Sequence, residues 1–121
     1  VAEWQETLRL QPEKVGAEIN LAWVLATAPE DAFRNGARAL ERAQHASKIS
    51  AGRNLMAYRA LAAAYAEVGQ FQAAIDAAQE GALRAENEGQ ASVAQALRLD
   101  LSLYQQGIPR RDPNHGRGAS P

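Results

Sequence analysis

Apolar residues recur along this chain at steps of three and four, and no stretch alternates strictly between apolar and polar as a half-buried strand would. The clearest stripe comes late: Val93, Leu97, Leu101 and Tyr104 share one side of a helix, with Gln95, Arg98, Ser102 and Gln105 turned away from it. Pattern and breakers together predict six helices. They cover about 1–11, stopped by Pro12; 14–27, stopped by Pro29; 31–49, stopped near Gly52; 54–68, stopped by Gly69; 70–86; and 90–106, closed by Gly107 as a C-cap glycine and by Pro109 as a breaker. Connections this short oblige consecutive helices to pack as antiparallel neighbours. The expected fold class is all-α.

Most of the apolar positions are small. The chain carries 27 alanines, and the stretch AYRALAAAYAEVGQFQAAIDAA (57–78) sets single rings at Tyr58, Tyr65 and Phe71 among them. Ala62, Ala74, Ala78 and Gly81 are expected to let two helix axes approach closely, while Leu61, Tyr65, Phe71 and Ile75 fill the space between layers. The same spacing returns elsewhere. Tyr58-x2-Leu61-Ala62-x2-Tyr65, Gly69 and Ala74-x3-Ala78-x2-Gly81 are matched 40 residues earlier by Glu18-x2-Leu21-Ala22-x2-Leu25 and, after a longer connection, Ala39-Leu40-x2-Ala43-x2-Ala46. Val1-x2-Trp4-x2-Thr7-Leu8-x-Leu10-Gln11-Pro12 falls in register as the second helix of a preceding unit.

This pattern resembles the tetratricopeptide (TPR) repeat over residues 1 to about 88. The resemblance implies antiparallel helical hairpins in a short right-handed solenoid: 1–12 the second helix of a truncated repeat, 15–53 a repeat with an inserted turn, 55–88 a repeat, and 90–106 a C-terminal capping helix over the last apolar face. The repeats are degenerate. Glu18 replaces the large opening residue, the closing proline is missing after the third and fifth helices, and Gly81 stands where the family usually carries alanine. ATAPEDAFRNG (26–36) lengthens one turn and is expected to project from an edge of the stack. INLAWVLATAPEDAFRNGARALERA is similar to TPR segments near the C-terminal ends of larger bacterial proteins. The first helix lacks its partner, so upstream sequence or another subunit is expected to cover it.

In TPR arrays the first helices of successive repeats line a concave groove, and the resemblance makes Ile19, Trp23, Ala26, Met56, Arg59, Ala63 and Glu67 its candidates here. Two roles are open to Trp23: an aromatic anchor for a bound peptide, or packing between helices. The clamp of Lys, Arg and Asn that some TPR chaperone adaptors use for C-terminal carboxylates is matched only by Asn20 and Arg59, which argues against such a receptor.

Charge divides the chain in two. GIPRRDPNHGRGASP (107–121) holds three glycines, three prolines and three arginines against one aspartate, which is too little apolar surface to fold alone. The remaining 106 residues carry ten basic against thirteen acidic side chains, a net −3 within a total of −1. A basic tail on an acidic body suggests that Arg110, Arg111 and Arg117 meet acidic groups, as an extended strand in the groove of a neighbouring subunit. No aromatic residue interleaves with these arginines, so nucleic acid is not an expected partner.

Catalytic and metal chemistry find no anchor in the sequence. There are no cysteines, hence no disulfide and no thiolate site, which is compatible with a reducing or an oxidising compartment. His45 has no second histidine at the i+4 spacing of a metal site and reads as a solvated helix residue; His115 lies in the tail. Glu30-Asp31 reads as helix capping, and Glu86 and Glu88 as a solvated helix end. No phosphate-binding glycine loop, Gly-x-Ser-x-Gly elbow or Asn-x-Ser/Thr acceptor occurs. No window reaches the ~18–20 apolar residues of a membrane span, so no membrane contact is expected of this segment. The expected function is a non-catalytic interaction scaffold without cofactor or metal, binding a peptide or partner surface in the concave groove. Two alternatives stand beside it: a subunit that assembles into a filament or ring through its bare first helix and its tail, or a docking or regulatory segment of a larger enzyme.

Overall fold

A computed structural model describes residues 12–30, 34–50 and 53–112, so the helix expected over 1–11 and the far tail with Arg117 and His115 lie outside the described residues. Five α-helices account for most of what is described: α1 Pro12–Thr27, α2 Gly36–Ile49, α3 Leu55–Glu67, α4 Phe71–Asn87 and α5 Ala91–Gln105. No strand occurs among the described residues. Each helix packs on the next in the chain, and α3 also packs on α1 and α5.

The reason for the alanines is the place of α3. Its Ala57, Ala60, Ala62, Ala63, Ala64 and Ala66 are all buried, on every side of the helix. Towards α1 and α2, Ala57 and Ala60 meet Val15, Ile19 and Ala22, with Ala43 and Ala46. Towards α4 and α5, Ala62 and Ala66 meet Ala74, Ala78, Leu97 and Tyr104, with Tyr65, Phe71, Ile75, Val93 and Leu101 packed partly buried around them. A helix surrounded by four others can bring its neighbours close only if its side chains are small. Gly81 shows how close: a Cβ built there would stand 2.8 Å from the Cβ of Tyr58, across the α3–α4 contact.

Turns and caps set the boundaries. Asn35 and Asn54 accept the amides of Arg38 (3.1 Å) and Met56 (3.0 Å) as N-caps of α2 and α3. The ends of α3, α4 and α5 share one device, in which a glycine at positive φ (Gly69 +84°, Gly89 +74°, Gly107 +74°) carries the chain out of the helix. Around Gly69, Gln70 N–H returns to the Tyr65 carbonyl (2.8 Å) and Gly69 N–H to that of Ala66 (3.0 Å), the Schellman pairing.

Two boundaries differ from expectation. Pro12 opens α1 instead of merely ending what precedes it, a position where its missing N–H costs nothing. The helix expected from 31 begins at Gly36, because Asn35 is extended and supplies the cap that Glu30-Asp31 was expected to give. The described ends of the 26–36 insertion are held against the body. Arg34 Nη1 donates to the carbonyls of Ala28 (2.8 Å) and Pro29 (2.9 Å), and Asn35 N–H donates to Leu25 (2.8 Å).

Candidate partner-binding groove

The central helix α3 packs on both α1 and α5, and a line of polar contacts through Trp23, Arg59 and Asp100 joins the three. Asp100 of α5 is completely buried. Its Oδ2 accepts a 2.7 Å hydrogen bond from Arg59 Nε of α3, and Oδ1 lies 3.5 Å from Arg59 Nη2. The same guanidinium lies over Trp23 of α1, with its carbon 4.5 Å from the ring centroid. One arginine thus ties a buried carboxylate on one helix to an indole on another. Nearby on α5, Tyr104 buries a hydroxyl for which no hydrogen-bond partner occurs among the described residues. Burial, and then the charge of Asp100, push its ionisation well above the ordinary tyrosine range, so the phenol stays neutral.

After α5 the chain turns at Gly107 and crosses this surface. Ile108 N–H bonds back to the Leu103 carbonyl at 2.9 Å. Arg110 Nε then comes to 3.7 Å from Asp100 Oδ1. Arg111 Nη1 lies 2.8 Å from Glu67 Oε1 on the last turn of α3. Asp112 reaches α1: its backbone N–H donates to the Thr27 carbonyl (2.8 Å) and its Oδ2 accepts the indole N–H of Trp23 (2.6 Å), a partner 89 residues away. Three consecutive tail residues therefore touch α5, α3 and α1 in turn.

The helix ends explain why a chain segment is received here. Thr27 is the last residue of α1, and its carbonyl has no partner within the helix. The Thr27 hydroxyl is itself used up, donating to the Trp23 carbonyl at 2.6 Å. Asp112 N–H fills the open acceptor. Glu67 is shared as well: Oε2 lies 3.3 Å from Arg34 Nε of the insertion while Oε1 faces Arg111. Gly36 makes that arrangement possible, since a Cβ there would meet Glu67 Cγ and Val68 Cγ1, each at 2.9 Å.

Of the residues singled out in the sequence, the structure brings Trp23, Arg59, Glu67, Arg110 and Arg111 to this one surface. Ala26 and Ala63 are buried beneath Trp23. Ile19 is 5% exposed and packs into the core, so it offers no surface to a groove. Met56 is exposed, one turn before Arg59, and takes no part in the contacts with residues 110–112. Arg110 and Arg111 meet acidic groups of their own chain. Sequence reasoning passed over Asp100, Thr27, Asp112 and Arg34. Asp100 alone left a signal, as an acid on the buried stripe between Leu97 and Tyr104.

Elsewhere, His45 Nδ1 lies 2.7 Å from Glu18 Oε2, so it bridges α2 to α1. A shallow groove of about 550 Å³ between α4 and α5 is lined by Ala82, Leu83, Leu101, Gln79 and Arg98. Among the described residues no group of three or more His, Asp or Glu could hold a metal ion, and no helix is long and apolar enough to cross a membrane. No protein-family model, curated protein or solved structure matches the chain.

Proposed function

We propose that this chain is a non-catalytic protein-interaction module of TPR-like helical hairpins, which holds an extended segment across α1, α3 and α5. The observation that carries this reading is residues 110–112, a segment with no helical or strand structure that lies across all three helices. A surface that receives one such segment through a helix-end carbonyl, an indole and two carboxylates has the features needed to receive another. The repeat-like spacing in the sequence supports the same view, because stacked hairpins place their first helices side by side. The mechanism is shape and charge without covalent chemistry.

Selection from a random peptide library tests this. The bait is the full chain with Arg110, Arg111 and Asp112 replaced by serine, which leaves the groove side chains intact. Enrichment of peptides that lose binding on Trp23→Ala or Arg59→Ala, and keep it on Leu83→Ser, is the expected result. Enriched peptides indifferent to Trp23 and Arg59, or no enrichment at all, would refute the proposal.

A further inference from the structure

We propose that the groove is selective for an extended peptide with two consecutive arginines followed by an acidic residue, and that residues 110–112 are a built-in copy of that ligand which a partner must displace. The inference rests on the interaction-module reading and names the ligand. Each position has a distinct receptor. The first arginine meets Asp100, a carboxylate with no exposure of its own, already shared with Arg59. The second meets Glu67, where Arg34 stands on the other oxygen. The third residue gives a backbone N–H to Thr27 and a carboxylate to the Trp23 indole, so proline cannot stand there and an acid is favoured.

Order matters as much as composition. A segment reading acid first would set its carboxylate against Asp100 and a guanidinium against the Trp23 N–H, opposing like charge to like and donor to donor. The tail is also prepared for the site by its sequence. Pro109 and Pro113 follow Ile108 and Asp112, and a residue before proline is driven to extended backbone, so less ordering entropy is lost on docking.

The internal copy has a kinetic and thermodynamic advantage. Only Gln106, Gly107, Ile108 and Pro109 separate Arg110 from the end of α5, a tether that gives the segment an effective concentration in the millimolar range. A competing ligand binds only to the fraction of molecules whose groove is vacated, and its apparent affinity falls by that fraction. A partner therefore needs further contacts beyond the three shared positions, or several copies of the motif.

The test uses a fluorescent hexapeptide with the sequence of residues 108–113, read by anisotropy against two forms of the full chain, native and Arg110→Ser/Arg111→Ser/Asp112→Ser. Arg111→Ser alone serves as a second, milder variant, and helical circular dichroism confirms that each chain is folded. The serine variant should bind the peptide at least tenfold tighter than the native chain, the single variant should fall between, and a peptide with Asp moved ahead of the two arginines should bind at least tenfold more weakly. Equal affinity for native and serine chains would overturn the built-in ligand; equal affinity for the two peptides would overturn the ordered motif. If the serine chain binds library-selected peptides at Trp23 but not this hexapeptide, the motif fails while the interaction-module reading stands. Absence of any groove-dependent peptide defeats both.

Discussion

Replacing Asp100 by alanine removes a carboxylate that is fully buried and bonded at 2.7 Å to Arg59, itself only 18% exposed. Breaking a buried ion pair from one side costs about 3–5 kcal/mol, because the remaining charge is left without compensation. The lower end applies here. Arg59 keeps the face of Trp23, and Arg110, a third exposed, can turn to water. A loss of about 3 kcal/mol is a large part of the 5–15 kcal/mol that holds a domain of this size, and lowers the melting temperature by roughly 10–20 °C. Urea unfolding followed by circular dichroism measures it. Arg59→Met combined with Asp100→Ala should cost less than the sum of the single changes, since the orphaned charge is then gone. A loss below about 1 kcal/mol for Asp100→Ala, the size of a solvent-exposed pair, would refute the buried link between α3 and α5.

Three further outcomes follow from the geometry. Gly81→Ala should destabilise by about 1–3 kcal/mol in the same assay, because the new methyl stands 2.8 Å from Tyr58 Cβ and the two helices must part. Tyr104→Phe should leave stability unchanged or raise it by up to about 1 kcal/mol, since the hydroxyl it removes is buried without a hydrogen-bond partner among the described residues. It should also flatten the alkaline limb: the unfolded tyrosine ionises near pH 10 while the folded one is held higher, so native stability falls as pH rises above about 10, and less steeply in the variant. Asp112→Asn should move the Trp23 indole N–H resonance and cost about 1 kcal/mol, as a charged acceptor at 2.6 Å becomes a neutral one; an unmoved resonance would deny that contact.

Much of the helical layout is legible in the sequence because glycine, proline and asparagine mark it chemically. Gly69 and Gly107 stand where a left-handed residue is required, and the helices end there. Two acids after a proline imitate a helix N-terminus, whereas α2 is capped by Asn35, whose side chain accepts the Arg38 amide. Ile19 was misplaced for a different reason: α1 is apolar on several sides, so periodicity cannot say which side faces a groove. Asp100 lies on the apolar stripe of α5 between Leu97 and Tyr104, but nothing in the local sequence LRLDLSLYQ names its partner, because Arg59 stands 41 residues earlier. The tail is the hardest case. Its composition offers no core of its own, yet residues 108–112 are held on a surface that exists only after three helices have packed, by partners as far as 89 residues away.

The most direct test of that docked tail asks whether it lies on its own chain. The absence of native cysteines allows a single nitroxide to be attached through Asn114→Cys, two residues beyond Asp112. Paramagnetic relaxation in isotope-labelled protein should then broaden the Trp23 indole and the Thr27 amide, independently of concentration. A mixture of spin-labelled unlabelled-isotope chains with nitroxide-free ¹⁵N chains should show no such broadening. Sharp Trp23 and Thr27 signals in the first sample would contradict the docked tail, and broadening that also appears in the mixture would assign it to a neighbouring molecule instead.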